Sequence, residues 1–189
     1  MYSFAAGRRA NSIQVLYDGT FVWADATDSD VLSTADNQVT MRASGGTRIF
    51  SNGLATTGVQ LAPGGGSWSP ISDRHLKDNF QTVYGPELLS KLAALPISTW
   101  NYKAQDASIR HIGPMAQDFR AAFGVGEDDR HITTIDADGV ALAAIQGLHQ
   151  IVQEQKAEIR ELCELVEKLL AKDGTGDGYT QNNEPKGGR

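Results

Sequence analysis

The strongest constraint in this sequence is a heptad seam near its carboxyl end. Ile145, Leu148, Val152, Gln155, Ile159, Leu162, Val166 and Leu169 follow one another at spacings of 3, 4, 3, 4, 3, 4 and 3. That period belongs to an α-helix whose apolar stripe faces other helices. At about 1.5 Å per residue the stripe is roughly 36 Å long. The remainder of the 189-residue chain is too small to cover it, so copies of the same helix are the expected cover. With Ile145 at position a, every a residue is Ile or Val, and every d residue is Leu except Gln155. That choice favours two strands. Ile151 and Leu165 at g, with Cys163 and Leu170 at e, widen the apolar face and suit three or more. The seam leaves two against three open, and Gln155 is a lone polar layer suited to fixing register.

The composition changes near residue 71. Residues 1–71 contain no Lys and no Glu, but four Arg, five Asp and nine Gly. The remaining 118 residues carry 13 basic and 18 acidic side chains. Lys and Glu favour helices, and Gly, Asp, Asn and Thr favour turns between strands. A β-rich segment over 1–71, a helix-richer domain over 72–172 and a polar, Gly-rich, disordered tail over 173–189 are therefore expected. The fold class is α+β.

In the front, strands are expected at Ser12–Tyr17, Thr20–Trp23, Gln38–Ala43 and Thr47–Phe50, with turns at Asp18-Gly19, Gly45-Gly46 and Asn52-Gly53. They are short and poor in large apolar residues, so they need neighbours from other repeats or other chains. Pro63–Gly66 reads as a flexible connector. In the back, the patterns predict a helix over Pro86–Leu95, strands at Ile97–Tyr102, His111–Met115 and Ile132–Ile135, and a short helix over Ala116–Phe123. A turn at Asp136–Gly139 and a long helix over residues 140–172 follow.

Several functions are excluded by composition. A net charge of −6 provides no broad basic field for nucleic acid or anionic lipid. A single cysteine, Cys163, allows no intrachain disulfide and no cysteine-based zinc site. No apolar run approaches the roughly 20 residues that span a bilayer, and the amino terminus lacks the apolar core of a signal peptide. Asp136 and Asp138 lack the loop of an EF-hand. No metal and no cofactor is expected.

Ser72 and Lys77 are the pair that could carry chemistry. A serine hydroxyl becomes a nucleophile when a base takes its proton, and a lysine serves if burial populates its neutral amine. Five residues turn about 140° around a helix, and an odd offset changes face on a strand. The chain must bend between the two, or one must act on a neighbouring copy. Ser72-Asp73 also suits an ordinary helix cap. His75, His111, His131 and His149 are scattered alternatives for a Ser–His arrangement.

Ser72-Asp-Arg-His-Leu-Lys-Asp-Asn79 resembles the signature of the intramolecular chaperone auto-processing domain, the peptidase S74 domain of phage tail fibres and endosialidases. Leu92–Lys103 resembles the family's leucine–proline–aromatic strand, His111–Asp118 its glycine-x-alanine-glutamine segment, and Gly139–Leu148 the start of its terminal helix. Pro114-Met115 and Asp118 depart from the family pattern without touching the pair. Ser3–Ala10 is similar to one turn of the trimeric adhesin head repeat.

The S74 resemblance implies a homotrimer whose carboxyl domain aligns and folds an upstream β-rich fibre. The domain then releases itself, as a single-turnover serine autoprotease with Ser72 as nucleophile and Lys77 as base. Attack within one chain favours Ile71–Ser72, through a five-membered ring; attack across chains could open Ser72–Asp73. A trimerisation tip of a fibre or adhesin that does not cut itself is the alternative. The implied setting is a virion tail fibre or a bacterial surface fibre. A host-surface glycan contact by the mature fibre would need exposed aromatics such as Trp23 or Trp68.

Overall fold

A computed structural model describes residues 2–11 and 17–173. It is mixed α and β, with four small sheets among the described residues and a long carboxyl-terminal helix. The expected strand over Ser12–Tyr17 falls almost wholly, and the expected disordered tail beyond Asp173 wholly, outside the described residues. The chain divides into two compact units, Met1–Phe80 and Gln81–Arg189.

The first unit contains β1 (Phe4–Gly7), β2 (Ala10–Asn11), β3 (Phe21–Ala24), β4 (Val31–Leu32), β5 (Val39–Arg42), β6 (Thr47–Phe50), β7 (Gly58–Leu61) and β8 (Trp68–Pro70). Successive coils of chain lay parallel strands on one another in the order β1-β3-β5, and β2 pairs in parallel with β4. Phe4 pairs with Phe21, and Phe21 with Val39. The side-chain period of two sends Val22 and Ala24 to a buried face and the Phe4, Phe21 and Val39 column to the opposite, exposed one. Gly7 has φ +99°, and a Cβ there would collide with the Ala24 carbonyl, so the corner after β1 requires glycine. Arg9 ties neighbouring coils together through Asp30 (2.7 Å) and Asp28 (3.1 Å).

β6, β7 and β8 form an antiparallel meander. Pro63–Gly66 is not a flexible connector: it is the tight turn joining β7 to β8, closed by Gly65 N–H on the Ala62 carbonyl at 2.9 Å. The Ile71 N–H extends the meander by donating to the Gly58 carbonyl at 3.0 Å.

The second unit is built from α1 (Gly85–Ala94), β9 (Ser98–Trp100), β10 (His111–Gly113), α2 (Ala116–Phe123) and α3 (Thr134–Asp173). Pro86 opens α1, and Gly124 closes α2 in the left-handed conformation at φ +67°. β9 and β10 pair antiparallel. Leu95, Phe119 and Val140 are buried together, with Leu88, Leu92, Ala122, Phe123 and Ile132 packed around them.

The structure corrects the start of α3. Ile132–Ile135 is not a strand, and Asp136–Gly139 is not a turn; the helix begins at Thr134. Thr133 Oγ1 accepts from Asp136 N–H (3.1 Å) and donates to the Asp136 carboxylate (2.8 Å). This reciprocal cap supplies hydrogen bonds that a helix terminus otherwise lacks. Asp173 is the last residue of α3, not the first of a tail.

α3 presents two apolar stripes. Val140, Ala144 and Gly147 are buried, and the helix packs on α1. At 100° per residue, Ile145, Leu148 and Val152 lie roughly 110° around the helix from that stripe. A Cβ built on Gly85 would stand 2.7 Å from Gly147 Cα, so the two helices meet backbone to backbone.

Candidate active site

Ile71 is held to the meander by its N–H, and Ser72 follows outside any helix or strand. Asp73 then starts a single 3-10 turn, Arg74–Leu76, with extended dihedrals at φ −69° and ψ 134°. The Asp73 carboxylate accepts from His75 N–H at 2.9 Å. Leu76 N–H reaches the Asp73 carbonyl and Lys77 N–H the Arg74 carbonyl, each at 3.2 Å. Lys77 leaves the turn extended at φ −121° and ψ 152°.

That turn supplies the bend that neither helix nor strand geometry allows. It brings Lys77 Nζ to 2.6 Å from Ser72 Oγ within one chain. Both residues are exposed in the single chain. Beyond them, the Arg74 guanidinium lies 5.8 Å from the centre of the Phe80 ring. The Asp78 carboxylate accepts from Asn79 N–H at 2.8 Å.

The hydrogen bond at Ser72 Oγ comes from Lys77 and from none of the four histidines. His75 lies in the turn itself. The His111 ring packs 4.8 Å from Trp100 and 5.5 Å from Tyr102, with Nε2 at 2.9 Å from Gln105 Oε1. His131 Nδ1 lies 2.9 Å from an Asp128 oxygen. Arg130 N–H, then the His131 side chain, hold the Asp128 carboxyl down to about 2. His149 is exposed on α3.

Among the described residues, no group of three or more His, Cys, Asp or Glu side chains is placed to hold a metal ion. Asp136 caps α3 instead. Cys163 is exposed on α3, in a shallow patch lined by Ile159, Leu162, Val166 and Glu167. Along the heptad seam Ile145, Leu148, Ile159, Leu162, Val166 and Leu169 are exposed, as is Gln155, while Val152 is half-buried. In the first unit, Trp68 is exposed and Trp23 half-buried. No described helix is long and apolar enough to cross a membrane.

The sequence reading missed the contact of the Asp78 carboxylate with Asn79 N–H and the bond from Ile71 to Gly58. The second has no local signal, because its partner lies 13 residues upstream in another strand.

A hydroxyl in contact with an amine on a tight turn is a geometry that serine–lysine chemistry can use. Residues 72–125 match the family model for Peptidase S74, described as the chaperone of endosialidase. The match begins at Ser72, contains Lys77 and runs through α1, β9, β10 and α2. It supports an S74-type chaperone domain over those 54 of the 189 residues. Searches of the curated proteins and of the solved structures return no match.

Proposed function

We propose that this chain is a self-cleaving trimerisation chaperone for a β-rich fibre, in the setting of a phage tail fibre. The observation that carries the reading is the 2.6 Å contact between Ser72 Oγ and Lys77 Nζ, at the first residues of the segment that matches the chaperone of endosialidase. The domains we propose are a fibre segment over 1–71, a chaperone and processing domain from 72 to the end of α3 at Asp173, and a tail after it.

Assembly comes first. A stripe of exposed Ile, Leu and Val along α3 is costly in water, and packing against copies of itself removes it. The first unit explains why such a clamp is useful. Among the described residues its buried side chains are few and small: Val22 and Ala24, with the hydroxyls of Thr20 and Ser33. Strands that pair across long sequence separations close slowly. Helices that associate early hold the copies at high effective concentration, and the exposed Phe4, Phe21 and Val39 column then has identical columns to pack against.

Cleavage follows. Covering the pair favours the neutral amine, and Lys77 takes the hydroxyl proton as Ser72 Oγ attacks the Ile71 carbonyl carbon. The Ile71–Ser72 C–N bond breaks, and the Ser72 nitrogen takes the proton from Lys77. The resulting ester between Ile71 and Ser72 Oγ is hydrolysed by water. The products are a fibre ending in the Ile71 carboxylate and a released domain beginning with the Ser72 amine. The contact lies within one chain, which supports this bond over Ser72–Asp73.

The test is the mass of freshly expressed protein. Parent chains should yield two fragments with a junction at Ile71–Ser72, and Ser72→Ala and Lys77→Ala should leave the 20.3 kDa chain whole. Whole parent chains that sediment as trimers would leave the non-cutting trimerisation tip as the function. A junction at Ser72–Asp73 would move the attack to a neighbouring copy.

A further inference from the structure

Asp73 and Asp78 flank Lys77 along the chain, and neither is paired with it. Asp73 spends its carboxylate on His75 N–H and Asp78 on Asn79 N–H, at 2.9 Å and 2.8 Å. The hydrogen bond made by the amine goes to Ser72 Oγ. This arrangement matters because a carboxylate beside an amine favours the charged form, and a charged amine cannot accept the proton of a serine. A carboxylate engaged by a backbone N–H also fixes the backbone that carries it.

We propose that Asp73 is a positioning residue for the Ser72–Lys77 pair. Its side chain closes the turn through His75 N–H, and the closed turn lays the lysine amine on the serine oxygen. The inference rests on the self-cleavage reading for its consequence and on the turn alone for its geometry. Without the cap, the turn keeps only two backbone hydrogen bonds of 3.2 Å, and the five-residue path from Ser72 to Lys77 is free to straighten. The role asks for a hydrogen-bond acceptor on a short side chain, not for a charge. Asn and Ser meet that requirement; Ala does not.

The full chain is made by cell-free translation, and conversion of the 20.3 kDa species is followed by electrophoresis. Asp73→Ala should cut roughly 5- to 30-fold more slowly than the parent, the equivalent of the ~1–2 kcal/mol that loss of an N-cap costs. Asp73→Asn and Asp73→Ser should return to within about threefold of the parent. In parallel, His75 amide exchange is measured by NMR in the uncut Ser72→Ala chain. It should quicken when Asp73→Ala is added and stay slow with Asp73→Asn. Asp73→Asn cutting as slowly as Asp73→Ala, Asp73→Ala cutting as fast as the parent, or His75 exchange indifferent to residue 73 would each overturn the proposal. A parent chain that never cuts removes the self-cleavage reading instead, and the His75 exchange then decides the geometry by itself.

Discussion

Gly85 at the start of α1 and Gly147 in the middle of α3 touch through their backbones, with no room for a methyl group on either. Neither has a positive φ, so the requirement for glycine here is proximity rather than conformation. The crossing seats α1 on the half of α3 that lies before most of the heptad seam.

Gly147→Ala should therefore destabilise the second unit. Alanine gains about 1 kcal/mol of helix propensity over glycine, but its Cβ would collide with the Gly85 carbonyl group. Forced overpacking typically costs 1–3 kcal/mol. A lowered thermal midpoint by circular dichroism is expected, and a larger drop for Gly147→Val; a raised midpoint for Gly147→Ala would show that the crossing is loose.

Phe119 is buried among Leu95, Val140 and their neighbours, with its ring 4.9 Å from Phe123. Phe119→Ala removes a buried aromatic ring from a small core and should cost about 3–5 kcal/mol. Urea unfolding followed by helix signal measures it, and a loss under ~1 kcal/mol would mean that this core is not what holds the unit together.

The seam and the core lie on different faces of α3, so they should separate experimentally. Ile159→Asp or Leu162→Asp places a charge in the exposed stripe and should turn the proposed trimer into single chains in sedimentation, while the unfolding midpoint of the second unit changes little. Gln155→Leu should make the assembly more heat-resistant and less uniform in size, because a buried polar layer trades stability for register.

Asp128 gives a pH prediction with a definite sign. Its carboxyl is held down to about 2, first by Arg130 N–H and then by the His131 side chain, against about 3.9 in an unfolded chain. A lowered folded pKa contributes stability above pH ~4 that is lost as the pH falls toward 2. Urea midpoints of the second unit measured from pH 5 to pH 2.5 should fall, and Asp128→Asn should flatten that slope.

How far the sequence could be read depended on how local each signal was. α2 was legible to the residue, because Gly124 stops an amphipathic run immediately after Phe123. The start of α3 was not, because Ile132-Thr-Thr-Ile looks like a strand until the Thr133 hydroxyl and the Asp136 carboxylate are seen to cap one another. The patterns at Thr20–Trp23 and Gln38–Ala43 announced strands but not their direction. Their partners lie 17 and 18 residues away along the chain, beyond the reach of any turn signal.

The sequence by itself determined the heptad stripe, the change of composition near residue 71 and the presence of a serine and a lysine five residues apart. Each is a matter of spacing or residue type along the chain. Only the three-dimensional structure decided that a 3-10 turn bends the path so that hydroxyl and amine meet, that the front strands stack in parallel, and that α3 gives one stripe to α1 and leaves the other exposed. Those outcomes depend on backbone hydrogen bonds and close contacts between residues distant in sequence, and on turns whose direction no local periodicity encodes.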